Sequence, residues 1–298
     1  MKIVQGVYAA VLVPRLPDGE LDTGGFRAGL GFLRSKGVTR VVVNGATGEY
    51  CLTAAEELAR MLVICRETLP GGEVLCGIGA AGLPGCLELG RVAIDGGARA
   101  LLLPMPHFFP YSQDDLHVFC ASAAARLDAP VLLYNLPRFT TPLELATVRS
   151  LVETVPNILG IKDSSGSLAI LAGLSSEACR IVGDDSVLVP ALDAGVSDAV
   201  VSGVAGVLPE LTTFLFEQRS SEAYPLAVEL LDDLIRRLSA FPVPWGLKLI
   251  AECRGIAPAR FSQPLSAART AQAGEFRRWF PSWWAQYENV AQGCAVGP

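Results

Sequence analysis

Eight short apolar runs recur along the chain, at 6–14, 40–45, 73–79, 100–104, 130–135, 158–163, 180–185 and 198–203. They are near-continuous in aliphatic residues rather than alternating, the pattern of strands covered on both faces, which is how parallel strands sit. Longer amphipathic segments separate them. The segment 53–69 opens with Thr53 and Glu56 in capping-box spacing. The segment 112–127 has Ser112 placed as N-cap, with Asp114 and Asp115 in the first turn, where carboxylates suit the helix dipole. The segment 142–155 starts with Pro142, expected in a first helical turn. Strand and helix alternating eight times predict an α/β chain, specifically a (β/α)8 TIM barrel. A doubly wound open sheet competes, but no G-x-G-x-x-G or P-loop pattern follows the first run. Beyond residue 220 three helix-like segments follow with no strand between them. The expected division is therefore a barrel over 1–220 and a C-terminal helical extension over 221–298, with a frayed tail at 291–298.

The 298 residues are 51% hydrophobic, enough for one large core. The net charge is −6 and no basic block occurs, which argues against nucleic acid as a partner. No apolar run reaches the roughly 18 residues of a membrane span. The opening "MKIVQGVYAAVLVP" reads as a first strand closed by a turn at Pro14 and Asp18-Gly19, not as a leader. Eight cysteines are scattered without a C-x-x-C pair, as free thiols of a reducing, cytoplasmic compartment would be. With only His107 and His117 as histidines, no zinc-ligand spacing is present and no metal is expected.

Chemistry on such a barrel gathers at the carboxyl ends of the strands. The sixth run ends in Lys162, the fifth in Tyr134, and the second in the turn "NGATGEY". A lysine amine held in a low-dielectric pocket loses its proton more easily, becomes a nucleophile and can condense with a ketone. Tyr134 on the neighbouring strand could move protons during that condensation. The turn at Gly45, Ala46 and Thr47 offers backbone N–H groups and one hydroxyl as a seat for a carboxylate. Each feature also has a plain structural reading. Lys162 could reach solvent or pair with Asp163, Tyr134 could be a core tyrosine, and the turn could be only a turn. Lys248, in an appended helical segment, reads as structural.

The segments "GATGEYCLTAAEE", "YNLPRF", "GIKDSSG" and "GDDSVLVPALDAGVSDAVVSGVAGVLPEL", in this order over roughly residues 6–210, resemble the dihydrodipicolinate synthase/N-acetylneuraminate lyase superfamily. The resemblance implies a lyase of the class I aldolase type that joins pyruvate or another 2-oxo acid to an aldehyde, or cleaves the product. It implies a covalent lysine imine and no separate cofactor, and a homotetramer built from dimers. The imine-forming lysine falls on Lys162 and the proton-relay tyrosine on Tyr134. The carboxylate-binding turn falls on Gly45, Ala46 and Thr47, and a backbone carbonyl near the pyruvate methyl falls on Val201. Asp185 falls where some members contact sugar hydroxyls, although Asp184 and Asp185 read equally well as helix caps. This chain departs from the pattern in three places. Ala46 replaces a hydroxyl residue, Phe108 and Phe109 replace a tyrosine pair, and Phe139 occupies the position of an arginine that binds the aldehyde's carboxylate. These departures imply a function other than dihydrodipicolinate synthesis and a less charged substrate, with Phe139 and Phe108 in its pocket and either Tyr111 or water as a stand-in for the relay. Two other functions are compatible with the same residues: a dehydratase of a 2-oxo-3-deoxy sugar acid using the same imine, and a catalytically silent 2-oxo-acid binding protein.

Overall fold

In a computed structural model, which describes residues 2–294, each of the eight apolar runs coincides with a strand, the seventh strand starting one residue before its run. They are β1 (Gly6–Ala10), β2 (Arg40–Val43), β3 (Glu73–Gly77), β4 (Ala100–Pro104), β5 (Val131–Asn135), β6 (Ile158–Asp163), β7 (Cys179–Val182) and β8 (Ala199–Ser202). All pair in parallel, each with its neighbours in chain order, and β8 closes on β1. Helices α1 (Thr23–Ser35), α2 (Ala55–Thr68), α3 (Leu83–Asp95), α4 (Gln113–Ala124), α5 (Leu145–Thr154), α6 (Ala169–Gly173), α7 (Leu188–Asp193) and α8 (Pro209–Glu217) follow their strands. The chain is a (β/α)8 barrel. Continuous apolar runs are explained by the two layers they serve. On β4, Leu102 joins Leu75 and Leu132 inside the barrel, while Leu101 and Leu103 pack outward with the helices.

Helix starts were only partly legible. Ser112 caps α4 as expected: the Asp115 N–H donates to its hydroxyl at 3.2 Å, and the Ser112 N–H donates to the Asp115 carboxylate at 3.0 Å. Thr53 does not cap α2. A 3-10 turn at Tyr50–Leu52 draws the Thr53 N–H to the Tyr50 carbonyl, so the helix begins two residues later behind Ala54 and the Thr53 hydroxyl has no partner. Pro142 precedes α5 rather than opening it. The Gln113 side chain accepts from both the Glu144 N–H and the Thr147 hydroxyl, which sets the helix start at Leu145.

The three helical segments after residue 220 are α9 (Tyr224–Leu238), α10 (Trp245–Cys253) and α11 (Ala267–Cys294). They share the outer core with the barrel helices. Along α11, Phe276, Phe280, Trp283 and Tyr287 are buried in succession, and the Trp283 indole donates to the Leu230 carbonyl of α9 at 3.1 Å. The tail expectation for 291–298 falls outside the described residues, apart from the helical backbone to Cys294.

One irregularity positions the site. Val131 of β5 pairs with Ile158 of β6, but Leu132 pairs with Gly160, so β6 carries one extra residue. Because strand side chains alternate with period two, that insertion decides which face each later residue of β6 presents. Gly160 is needed there. A Cβ on it would lie 1.9 Å from the Cys179 carbonyl oxygen, closer than any real contact. Gly160→Ala is expected to lower stability by about 3 kcal/mol, read from the urea midpoint. An unchanged midpoint would mean that the bulge tolerates a side chain and does not fix the register.

Candidate active site

Downstream of the bulge, Tyr134 pairs with Lys162 across β5 and β6, so both side chains enter the barrel from adjacent strands. The Lys162 amine lies 2.7 Å from the Tyr134 hydroxyl and 3.9 Å from the centre of its ring. Lys162 is 3% exposed and Tyr134 2%. The alternation sends Asp163 the other way, where it accepts from Asn135 at 2.9 Å and from the Ser165 N–H and hydroxyl. The Lys162–Asp163 pair considered from sequence therefore does not form. Glycine again makes room. A Cβ on Gly183, at the end of β7, would fall 2.6 Å from the Lys162 Cε and 2.4 Å from the Ser164 hydroxyl oxygen.

Burial dominates the electrostatics. It pushes the Lys162 ammonium down to about 7, against a smaller opposing pull from the Asp185 carboxylate. It drives the Tyr134 phenol well above its ordinary value, with the Ala46 backbone N–H and the Ser164 hydroxyl opposing. It raises the Asp185 carboxyl to about 6, opposed by the Ser202 hydroxyl, the Val204 N–H and the Lys162 cation. The Val204 N–H donates to one Asp185 oxygen at 3.2 Å, while the other is shielded from water and has no partner. The amine and a carboxyl thus titrate close to neutrality within one cavity.

That cavity, of about 170 Å³, brings together Lys162, Tyr134, Ala46, Thr47, Val201, Asp185 and Phe139 from the residues expected by sequence. Gly45 and Phe108 are not in its wall. Gly45 lies one step behind, and its carbonyl accepts from the Gly48 and Tyr50 N–H groups to close the 3-10 turn Ala46–Gly48. Phe108, with φ of 89°, is turned to the surface, 84% exposed, where its ring meets Phe109 edge-on at 4.8 Å. Tyr111 also stays out of the cavity; its N–H donates to Thr141.

Sequence reasoning missed two groups. Ser164 lines the cavity and donates to the Gly183 carbonyl at 3.0 Å. It was legible in principle, because the period that sends Lys162 inward sends Ser164 the same way. The other group had no such signal. Leu238, Phe241, Val243 and Leu247, from α9, α10 and the segment between them, form the outer wall. Next to Leu247, Lys248 reaches back to Glu49 at the end of the Thr47 turn, and this ion pair is buried, with side-chain exposures of 7% and 9%. Lys248, read from sequence as structural, ties the turn to the helix above it through this pair.

The family model of the dihydrodipicolinate synthetase family matches residues 3–280. A 4-hydroxy-tetrahydrodipicolinate synthase of Methanopyrus kandleri is 30% identical over 276 residues, 89% of this chain and 92% of its own length. The enzyme of that name from Methanothrix thermoacetophila is 32% identical over 216 residues, 70% and 72% of the two chains. Among solved structures, the 4-hydroxy-tetrahydrodipicolinate synthase of Methylacidiphilum fumariolicum superposes with a TM-score of 0.83 at 24% identity over 96% of this chain and 99% of that one. An N-acetylneuraminate lyase of Mycoplasma synoviae gives 0.78 at 20% over 92% and 97%. At those identities the superpositions speak for the fold alone.

A buried amine that titrates near 7 instead of 10.5 lowers stability at every pH below the unfolded value, and the loss is recovered as pH rises through the window where only the unfolded chain holds the proton. The cost is complete below the folded value and vanishes above the unfolded one. Lys162→Met is therefore expected to raise Tm near pH 7, with a gain that shrinks as pH rises toward 10.5. Calorimetry over a pH series tests this, and an equal Tm for both proteins at pH 7 would contradict the burial argument.

Proposed function

The chain belongs to the dihydrodipicolinate synthetase family, and we propose that it is a Schiff-base lyase that joins pyruvate, or a close 2-oxo acid, to an aldehyde and cleaves the product in reverse. The observation that carries this reading is the Lys162 amine, buried, titrating near 7 and 2.7 Å from the Tyr134 hydroxyl. Near neutral pH a large share of such amine is uncharged and can attack the ketone carbon of pyruvate. Tyr134 passes protons between the amine and the carbonyl oxygen, which leaves as water when the imine forms. The protonated imine withdraws electrons, so the adjacent methyl gives up a proton and becomes a nucleophilic enamine carbon. That carbon attacks the aldehyde, a C–C bond forms, and the aldehyde oxygen takes up a proton to become a hydroxyl. Water then releases product and restores Lys162.

The pyruvate carboxylate is assigned to the start of the 3-10 turn, where the Thr47 N–H is not consumed by the turn's own hydrogen bonds and the Ala46 N–H, which faces the Tyr134 hydroxyl, lies beside it. The Val201 carbonyl is assigned to the methyl group. Phe139 supports an aldehyde other than the substrate of dihydrodipicolinate synthesis, because it stands where the family resemblance implies a carboxylate-binding arginine. Arg138, one residue earlier, is 66% exposed in its side chain and pairs with Asp184 at 3.8 Å. The exposed Phe108–Phe109 pair supports contact with a second copy in the homotetramer that the resemblance implies.

Borohydride added with pyruvate is expected to leave a reduced three-carbon unit on Lys162, seen by peptide mass. A mass shift elsewhere, or none, would refute the imine. Tyr134→Phe is expected to lower kcat by about 10²–10⁴, and a loss below about tenfold would remove Tyr134 from the proton path.

A further inference from the structure

The cavity has two unlike halves. The inner half holds the ionisable groups Lys162, Tyr134 and Asp185 together with Thr47. The outer half is faced by Leu136 and Phe139 on the β5 side and by Leu238, Phe241, Val243 and Leu247 from the C-terminal helices. The halves meet at Gly203, where a Cβ would lie 3.3 Å from the Thr47 hydroxyl oxygen and 2.9 Å from Leu247 Cδ1. A molecule that reacts at Lys162 therefore extends from the inner groups directly onto an aliphatic and aromatic wall.

At the rim, Phe139 is 46% exposed and Val243 44%. These are apolar surfaces left uncovered beside a reaction centre, where a bound substrate would remove them from water. The outer half has one cation, Arg138, already opposed by Asp184, and Asp185 adds a second carboxyl on the inner side. An anionic aldehyde would find no unopposed positive charge and would approach two carboxylates.

We propose that the outer half is a hydrophobic subsite for the carbonyl partner, and that this protein uses aldehydes bearing an aryl or branched alkyl group in preference to polyhydroxylated or carboxylate-bearing ones. The inference rests on the imine reading above and adds to it the chemistry of the second substrate. The C-terminal helices are then specificity elements. The apolar group of the aldehyde lies between Phe139 and Leu238 while its carbonyl carbon meets the enamine.

The test runs the full-length protein in the synthetic direction with pyruvate and four aldehydes: benzaldehyde, isobutyraldehyde, glyceraldehyde and succinic semialdehyde. Product is read by mass. At least a tenfold higher kcat/KM is expected for the first two than for the last two, the scale set by filling or leaving empty a hydrophobic pocket. Leu238→Asn is expected to narrow that ratio about tenfold, mainly through KM for the apolar aldehydes. Phe139→Arg, at the exposed rim, is expected to raise the rate with succinic semialdehyde. Borohydride trapping of pyruvate on the wild-type protein runs in parallel. Trapping at Lys162 with glyceraldehyde or succinic semialdehyde preferred, or with none of the four aldehydes consumed, overturns the subsite while leaving the imine intact. Failure to trap overturns both.

Discussion

The cost of burying one lysine amine organises this structure. An ammonium withdrawn from water is destabilised, and the charge is relieved by giving up the proton near neutrality rather than by a close carboxylate. The surrounding contacts hold that state. Tyr134 meets the amine without neutralising it, Asp163 is turned away and engaged by Asn135 and Ser165, and Asp185 exerts only a weaker opposing pull. The barrel supplies a stack of aliphatic residues beneath, including Leu102, Leu132 and Ile181, which no water-filled channel could replace as a low-dielectric floor.

Backbone geometry makes that burial possible. The extra residue in β6 brings Lys162 opposite Tyr134, and Gly160 lets the strand approach β7. Gly183 leaves the volume that the lysine stem occupies. These are positions where the absence of a side chain matters more than any side chain present. The buried Glu49–Lys248 pair acts over a longer range, joining residues 199 apart in sequence. Buried ion pairs contribute little net stability, but removing one partner strands a charge, which penalises any arrangement that separates the two. Here the arrangement so held is the Thr47 turn beneath the α10 wall.

Much of this was readable in the residues. The eight apolar runs led to eight strands, because parallel strands buried on both faces have no need for alternation. Ser112, read as an N-cap, caps α4, and the reciprocal bond from Asp115 closes the box within four residues. Thr53 with Glu56 has the same spacing and failed, because an intervening 3-10 turn used the backbone first. Lys162, Tyr134 and Thr47, proposed from their places at strand ends, line one cavity. Phe108, expected in the pocket from the family resemblance, lies outside the cavity, since a loop residue with positive φ can leave a strand end in any direction.

The sequence by itself determined the barrel and which side chains stand at the carboxyl ends of its strands, Lys162 among them, since period, order and strand termini are local properties of the chain. Tertiary structure alone decided that a bulge sets Lys162 against Tyr134, that Asp163 faces away, and that Leu238, Phe241 and Leu247 close the cavity. The reason is physical. Register and wall are set by contacts between segments separated by tens to nearly two hundred residues, and no local pattern along the chain records which distant surface will be packed against it.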